Sequence, residues 1–248
     1  MNATFGIDRC QTFLNCQLQP PEKSGWSSAK GIRKCAITIS RQSGCGAHVV
    51  TEKLAAYLQA HSPKDAAPWT VFDRNLVERV LEDHHLPKRI ASHMPEDRVS
   101  QINDIIGELF CERPALSTLV QKTSETILHL AELGNAIILG RGANIITARL
   151  PHVLHVRLIG SLERRIEQMQ QFEKLDRKEA ARRIHDQDHG RQRYVKEHFG
   201  KDANDPLLYH LIINTDLVSA DDAARIIADL ALNRRVVNTV KPLDMVAA

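Results

Sequence analysis

The chain has 248 residues, 43% hydrophobic and 25% charged, the proportions of a globular protein with room for one α/β domain and a small insertion. Its 33 basic and 30 acidic side chains leave a net charge of +3, too balanced to make nucleic acid or a membrane surface the main partner. No apolar run approaches the roughly eighteen residues of a transmembrane helix, and no charged start leads into an apolar core, so neither a membrane span nor a secretory leader is expected. Cys10, Cys16, Cys35, Cys45 and Cys111 form no Cys-x-x-Cys pair, and reduced thiols in a cytoplasm are the plain reading.

Residues 1–33 read as a leader of low order, broken by Pro20-Pro21 and by the Ser/Gly-rich stretch Ser24–Ser28. A compact β-type run, Cys35–Ile39, opens the fold, which is expected to span 34–233. Further apolar runs follow at Trp69–Phe72, Asn135–Leu139, Val153–Leu158 and Leu211–Ile213. Runs apolar on both faces suit strands buried between helices in a parallel sheet. Helical spacing fills the intervals at Val49–Ala60, Leu76–Asp83, Ile102–Phe110, Leu116–Leu133, Ser161–Gln171 and Asp221–Leu230. This alternation predicts a doubly wound α/β domain. Glu179–His198 differs: it is strongly charged almost all round, so it is either solvated or faces a charged ligand. The segment 234–248 reads as a loosely held tail.

The first strand runs into Ser40-Arg-Gln-Ser-Gly-Cys-Gly-Ala-His48. A glycine turn between strand and helix can point backbone N–H groups at a phosphate, helped by the helix N-terminus. Gly44 and Gly46 permit the left-handed turns this requires. Aligned on Gly46, the Walker pattern Gly-x-x-x-x-Gly-Lys-Ser/Thr survives only in its spacing. Arg41 replaces the first glycine, Ala47 the phosphate-reaching lysine, and His48 the metal-ligating hydroxyl. The alternative for the loop alone, Arg41, Ser43, Gly44, Cys45, Gly46, Ala47 and His48 included, is an ordinary tight turn.

Other basic groups can supply the missing charge. Arg141, between Gly140 and Gly142, follows the third strand at the sheet end where open α/β sheets bind ligands. Its guanidinium can fork onto a phosphate, or it can close the loop onto carbonyls. In Asp186-x-Asp188-x-x-Arg191-x-Arg193, Asp188 and Arg191 share a helix face. Asp188 can orient Arg191 toward a transferring phosphoryl group, the alternative being a solvated ion pair. Asp73-Arg74 ends the second strand and can contact an acceptor, hold a metal water or cap the next helix. His84-His85 and the His185/His189 pair lack a third ligand, so no protein-held metal site is expected.

Together, Ile37-Thr-Ile-Ser-Arg-Gln-Ser-Gly-Cys-Gly46, Phe72-Asp-Arg74, Ile138-Leu-Gly-Arg-Gly-Ala-Asn144, Leu162-Glu-x-Arg-Ile166 and Asp188-x-x-Arg191 resemble the cytidylate-kinase-like family of the P-loop nucleoside monophosphate kinase superfamily. Tyr194, Gly200-Lys-Asp202, Asp205-Pro206 and Leu211-Ile-Ile-Asn-Thr215 continue the match in order. The resemblance implies a P-loop-type parallel sheet flanked by helices, with an NMP-binding insertion at about 75–133 and a helical lid at about 172–206. It implies transfer of the γ-phosphoryl of ATP to CMP, dCMP or a related small acceptor, with Mg²⁺. By the same resemblance, Arg141, Asp188 and Arg191 are catalytic, the loop binds ATP, and Asp73, Arg74, Gly140 and Arg141 serve the acceptor. The family's loop usually reads Ser-Arg-Gln-x-Gly-Ser-Gly-Gly-Arg, so the missing lysine is shared, whereas His48 stands where an arginine is usual. The other reading is a nucleotide-binding sensor or partner-binding protein of the same fold without turnover. Composition does not show the oligomeric state.

Overall fold

The computed structural model describes residues 12, 13, 16, 35–63, 66–75, 77, 94–111 and 118–233. The elements run β1 (Ala36–Arg41), α1 (Ala47–Ala60), β2 (Thr70–Phe72), α2 (Glu96–Cys111), α3 (Thr118–Leu133), β3 (Ala136–Leu139) and α4 (Ala143–Ile146). They continue with β4 (Val153–Ile159), α5 (Leu162–Glu173), α6 (Arg177–Phe199), a 3₁₀ turn at Pro206–Leu208, β5 (Leu211–Asn214) and α7 (Ala220–Asn233). The five strands form one parallel sheet in the order β2-β3-β1-β4-β5. With β1 central, the chain winds to one side through β2 and β3 and to the other through β4 and β5. The C-terminal end of β1 therefore lies at the crevice where such sheets bind ligands.

Side-chain alternation explains the two layers. Ile37, Ile39, Leu154, Val156, Leu158 and Ile213 face Val50, Leu54 and Leu58 of α1 and Ala223, Ala224 and Ile227 of α7. Ala36, Phe72, Ile138 and Val153 face Ile102, Ile127, Leu128, Leu130 and Ile146 on the other side. Each fully buried Ile or Leu stabilises the fold by about 1.5–3 kcal/mol. Burial on both faces holds β1, β3 and β4 in the centre of the sheet, while the edge strand β5 buries only Ile213 and exposes Ile212.

Two of the boundaries that differ from the sequence expectation bear on the site. β1 extends through Ser40 and Arg41, which pair with Arg157 and Leu158 of the longer β4. α1 begins at Ala47, with Gly46 in the left-handed conformation as its N-cap. The turn between them is therefore only Gln42–Gly46. The charged stretch is helical because its ends are well capped. The Asp176 side chain accepts the Glu179 N–H, Lys196 and His198 lie in the last turn, and Gly200 closes it at φ 68°.

Of the expected leader 1–33, only Thr12, Phe13 and Cys16 are described, and Phe13 is fully buried with its ring edge on Phe72, centroids 5.3 Å apart. The expected tail 234–248 and all of the expected helix Leu76–Asp83 except Val77 lie outside the described residues. No helix among the described residues is long and apolar enough to cross a membrane.

Candidate active site

The turn Gln42–Gly46 is held from outside by α5. A Cβ on Gly44, at φ +77°, would come within 2.4 Å of the Arg165 carbonyl oxygen, and one on Gly46 would meet Gln168 at 3.1 Å. These glycines let the turn lie directly on α5. Gln42 stitches it to β4, its Oε1 accepting the Gly160 N–H at 3.0 Å and its own N–H donating to Leu158 at 3.1 Å. α1 has no side-chain N-cap, so the dipole end of a 14-residue helix opens onto the turn.

Asp188 and Arg191 reach this turn from α6. The Ser43 N–H donates to Asp188 Oδ1 at 2.8 Å, and the Ser43 hydroxyl donates to Gln187 Oε1 at 2.9 Å. Arg191 Nη2 donates to Asp188 Oδ1 at 2.8 Å and also to Ser43 Oγ. Arg165 Nη1 donates to Asp188 Oδ2 at 2.6 Å and to the Ser43 carbonyl at 3.3 Å. The pair is thus not a solvated one. Ala180, Ile184 and Val195 are the buried positions of α6, and Asp188 and Arg191 fall on the same stripe, the five spaced at intervals of four, four, three and four. That stripe docks on Ile166 and Met169 of α5 at one end and on Ile145 and Ala203 at the other.

Arg41 and Arg141 approach from the ends of β1 and β3. Burial first, then the neighbouring Arg191 charge, pulls the Arg41 pKa down to about 10; Arg141 pushes the same way and Asp73 opposes. Arg41 remains a cation at neutral pH. Its Nη1 lies where a Cβ on Gly140, at φ +87°, would sit 2.2 Å away, so Gly140 makes room for that guanidinium. Arg141, itself at φ 57°, places its Cζ 5.9 Å over the Tyr194 ring of α6. Gly142 lets the Phe199 ring close over the backbone, where a Cβ would meet it at 2.6 Å.

The remaining expected residues divide. Asp73 lies within electrostatic range of Arg41 and His48, and its carbonyl accepts the Val77 N–H at 3.0 Å, whereas the Arg74 side chain is exposed. Partial desolvation, then the Arg41 charge, lowers the His48 pKa below its ordinary 6.5, so the imidazole is neutral at pH 7 and adds no cation. Ala47 is buried with Cys45, Val50 and Leu54 in the apolar layer. Burial pushes the Cys45 thiol up to about 11, leaving it protonated and a poor nucleophile.

Two features lay beyond the sequence reading of the site. Arg165 appeared there only as part of a pattern, yet it is 8% exposed and in contact with the turn. Arg157, also buried, donates to Ser40 Oγ at 2.9 Å and Asn204 Oδ1 at 2.7 Å, tying the segment after α6 to the sheet. Among the described residues, no group of three His, Cys, Asp or Glu is placed to hold a metal. An open groove of about 590 Å³, lined by Gln101, Asp104, Ile105, Glu108 and Arg149 among others, shares no residue with this site.

A central-β1 parallel sheet, a glycine turn onto a helix and converging arginines define an α/β fold of the nucleoside monophosphate kinase type. The cytidylate kinase-like family matches residues 36–217, and the chain belongs to that family. A protein named cytidylate kinase from Methanopyrus kandleri is 28% identical over 166 residues, covering 64% of this chain and 84% of the relative. The crystal structure of an uncharacterized protein from Eubacterium ventriosum superposes with a TM-score of 0.53 at 20% identity, covering 81% of this chain and all of that one.

Proposed function

We propose that the chain is an ATP-dependent phosphotransferase that moves the γ-phosphoryl of ATP to CMP, dCMP or a related small acceptor. Its kinase family and fold support a nucleotide-kinase-like activity. The observation that carries the mechanism is the convergence of Arg41, Arg141 and Arg191 on one glycine turn, close enough for Arg191 and Arg141 to add to burial in lowering the Arg41 pKa. Like charges gathered at a helix N-terminus suit a polyphosphate. Phosphoryl transfer needs positioning and charge neutralisation more than covalent chemistry, so arginines can do the work of a Walker lysine.

In this reading the turn Gln42–Gly46 and the start of α1 bind the ATP phosphates, and Arg41 neutralises them. Arg191, held by Asp188 until it swings onto the bound nucleotide, stabilises the phosphoryl group in flight. Arg141 and Asp73 serve the acceptor side, with α6 as part of a lid over 172–206 and 75–133 as the monophosphate side. Mg²⁺ takes oxygen ligands and keeps several waters. The donors divide on that criterion: the Asp73 carboxylate fits as the holder of a metal-bound water, while the His48 imidazole does not fit. When bound, Mg²⁺ would neutralise phosphate charge.

The test is ADP formation from ATP and Mg²⁺ across the common nucleoside monophosphates. Turnover that requires an acceptor and is fastest with CMP or dCMP is expected. Nucleotide binding with no acceptor-dependent turnover would contradict it.

A further inference from the structure

Ser43, Arg165 and Arg191 form a cage of donors whose occupant comes from the chain itself. The Asp188 carboxylate accepts the Ser43 N–H at 2.8 Å, Arg191 Nη2 at 2.8 Å and Arg165 Nη1 at 2.6 Å. One loop N–H and two guanidinium groups are the donor set a phosphoryl group takes at such a turn. Arg165 is the member with no part in the mechanism above. It is nine-tenths buried, its Nε has no hydrogen-bond partner, and its backbone is locked under Gly44. An arginine so placed moves with the turn, whereas Asp188 moves with α6.

We propose that Arg165 is a phosphate-binding residue of the nucleotide site, and that the Asp188 carboxylate is an internal stand-in which a ligand triphosphate displaces. The identity of the ligand rests on the kinase reading. A triphosphate brings more charge and more acceptor oxygens than one carboxylate, so it can take over the same donors. The assignment also accounts for Ala47. The position of the usual lysine is packed into the apolar layer, and the cation arrives instead from α5.

The experiment titrates inorganic tripolyphosphate into the full chain by calorimetry. Removing the competing charge with Asp188→Asn should tighten binding about tenfold, and Arg165→Gln should weaken it about tenfold, with Arg165→Lys between Arg165→Gln and the unmodified chain. A folded Asp188→Asn that binds no tighter, or an Arg165→Gln that binds as the unmodified chain does, would overturn the proposal. If Asp188→Asn does not fold, hydrogen exchange on the unmodified chain decides. Tripolyphosphate should protect 41–47 and deprotect 184–192. Binding without deprotection of 184–192, or no binding at millimolar concentration, would overturn it. An acceptor assay that fails while tripolyphosphate still binds in this pattern counts against the kinase reading alone.

Discussion

The two walls of the glycine turn carry the same charge and handle it in opposite ways. On the α5/α6 wall, Arg165 and Arg191 share the Asp188 carboxylate, and the ion pairs close the site on itself. On the β1/β3 wall, Arg41 makes no ion pair among the described residues, and burial and the Arg191 charge drag its pKa down to about 10. The first wall is charge-paired without ligand and holds α6 in place. On the second, Arg41 gains a paired counter-charge when an anion arrives. A site built this way sets an unpaired buried charge on one side against a latch on the other, and a polyphosphate acts on both.

The largest effect is expected where the walls meet. Arg191→Ala removes the cation shared between them and should lower kcat about 10³-fold in a coupled ADP assay. An equal loss from Arg74→Ala, whose side chain is exposed, would mean that surface charge rather than the cage drives turnover.

The next prediction separates the walls by stability. Arg165→Met strips Asp188 of a partner and should cost about 1–3 kcal/mol in denaturant unfolding. Arg41→Met removes a buried like charge, so the free chain should be as stable as before or more so, while nucleotide affinity falls about tenfold. If both variants destabilise alike, the walls do not differ as described.

Gly140→Ala should cost about 1–3 kcal/mol through its positive φ and also push Arg41 aside. Its affinity for nucleotide should therefore resemble that of Arg41→Met, which a binding titration can check.

The smallest effect lies on α3, away from the turn. Burial lowers the His129 pKa below its ordinary 6.5. The unfolded chain takes a proton that the folded chain refuses, so this histidine costs stability as pH falls through about 6.5 and nothing above it. His129→Leu should retain about 2–4 °C more of its Tm than the unmodified chain between about pH 7.5 and 5. Equal losses would place the acid sensitivity elsewhere.

The strands were legible because parallel strands buried on both faces read as unbroken apolar runs, as Ala136–Leu139 does. Their ends were less so: β1 gains Ser40 and Arg41 only because β4 runs beside it to Ile159. Arg41, Arg141 and the Asp188/Arg191 pair were legible from position and spacing. The role of Arg165 was not, since its contact with Ser43 spans 122 residues and no local pattern encodes it. The same holds for Gln42 and Gln187, ordinary polar residues until the turn is folded. His48 stands where an arginine is usual, but partial desolvation and then the Arg41 charge lower its pKa and keep it neutral at pH 7.

The most direct test of the central claim follows the phosphoryl group itself. The chain is incubated with γ-labelled ATP, Mg²⁺ and CMP, and the labelled products are separated. The account predicts label in CDP, lost in Arg191→Ala. Label found only in ATP or in inorganic phosphate, with nucleotide bound, would contradict it.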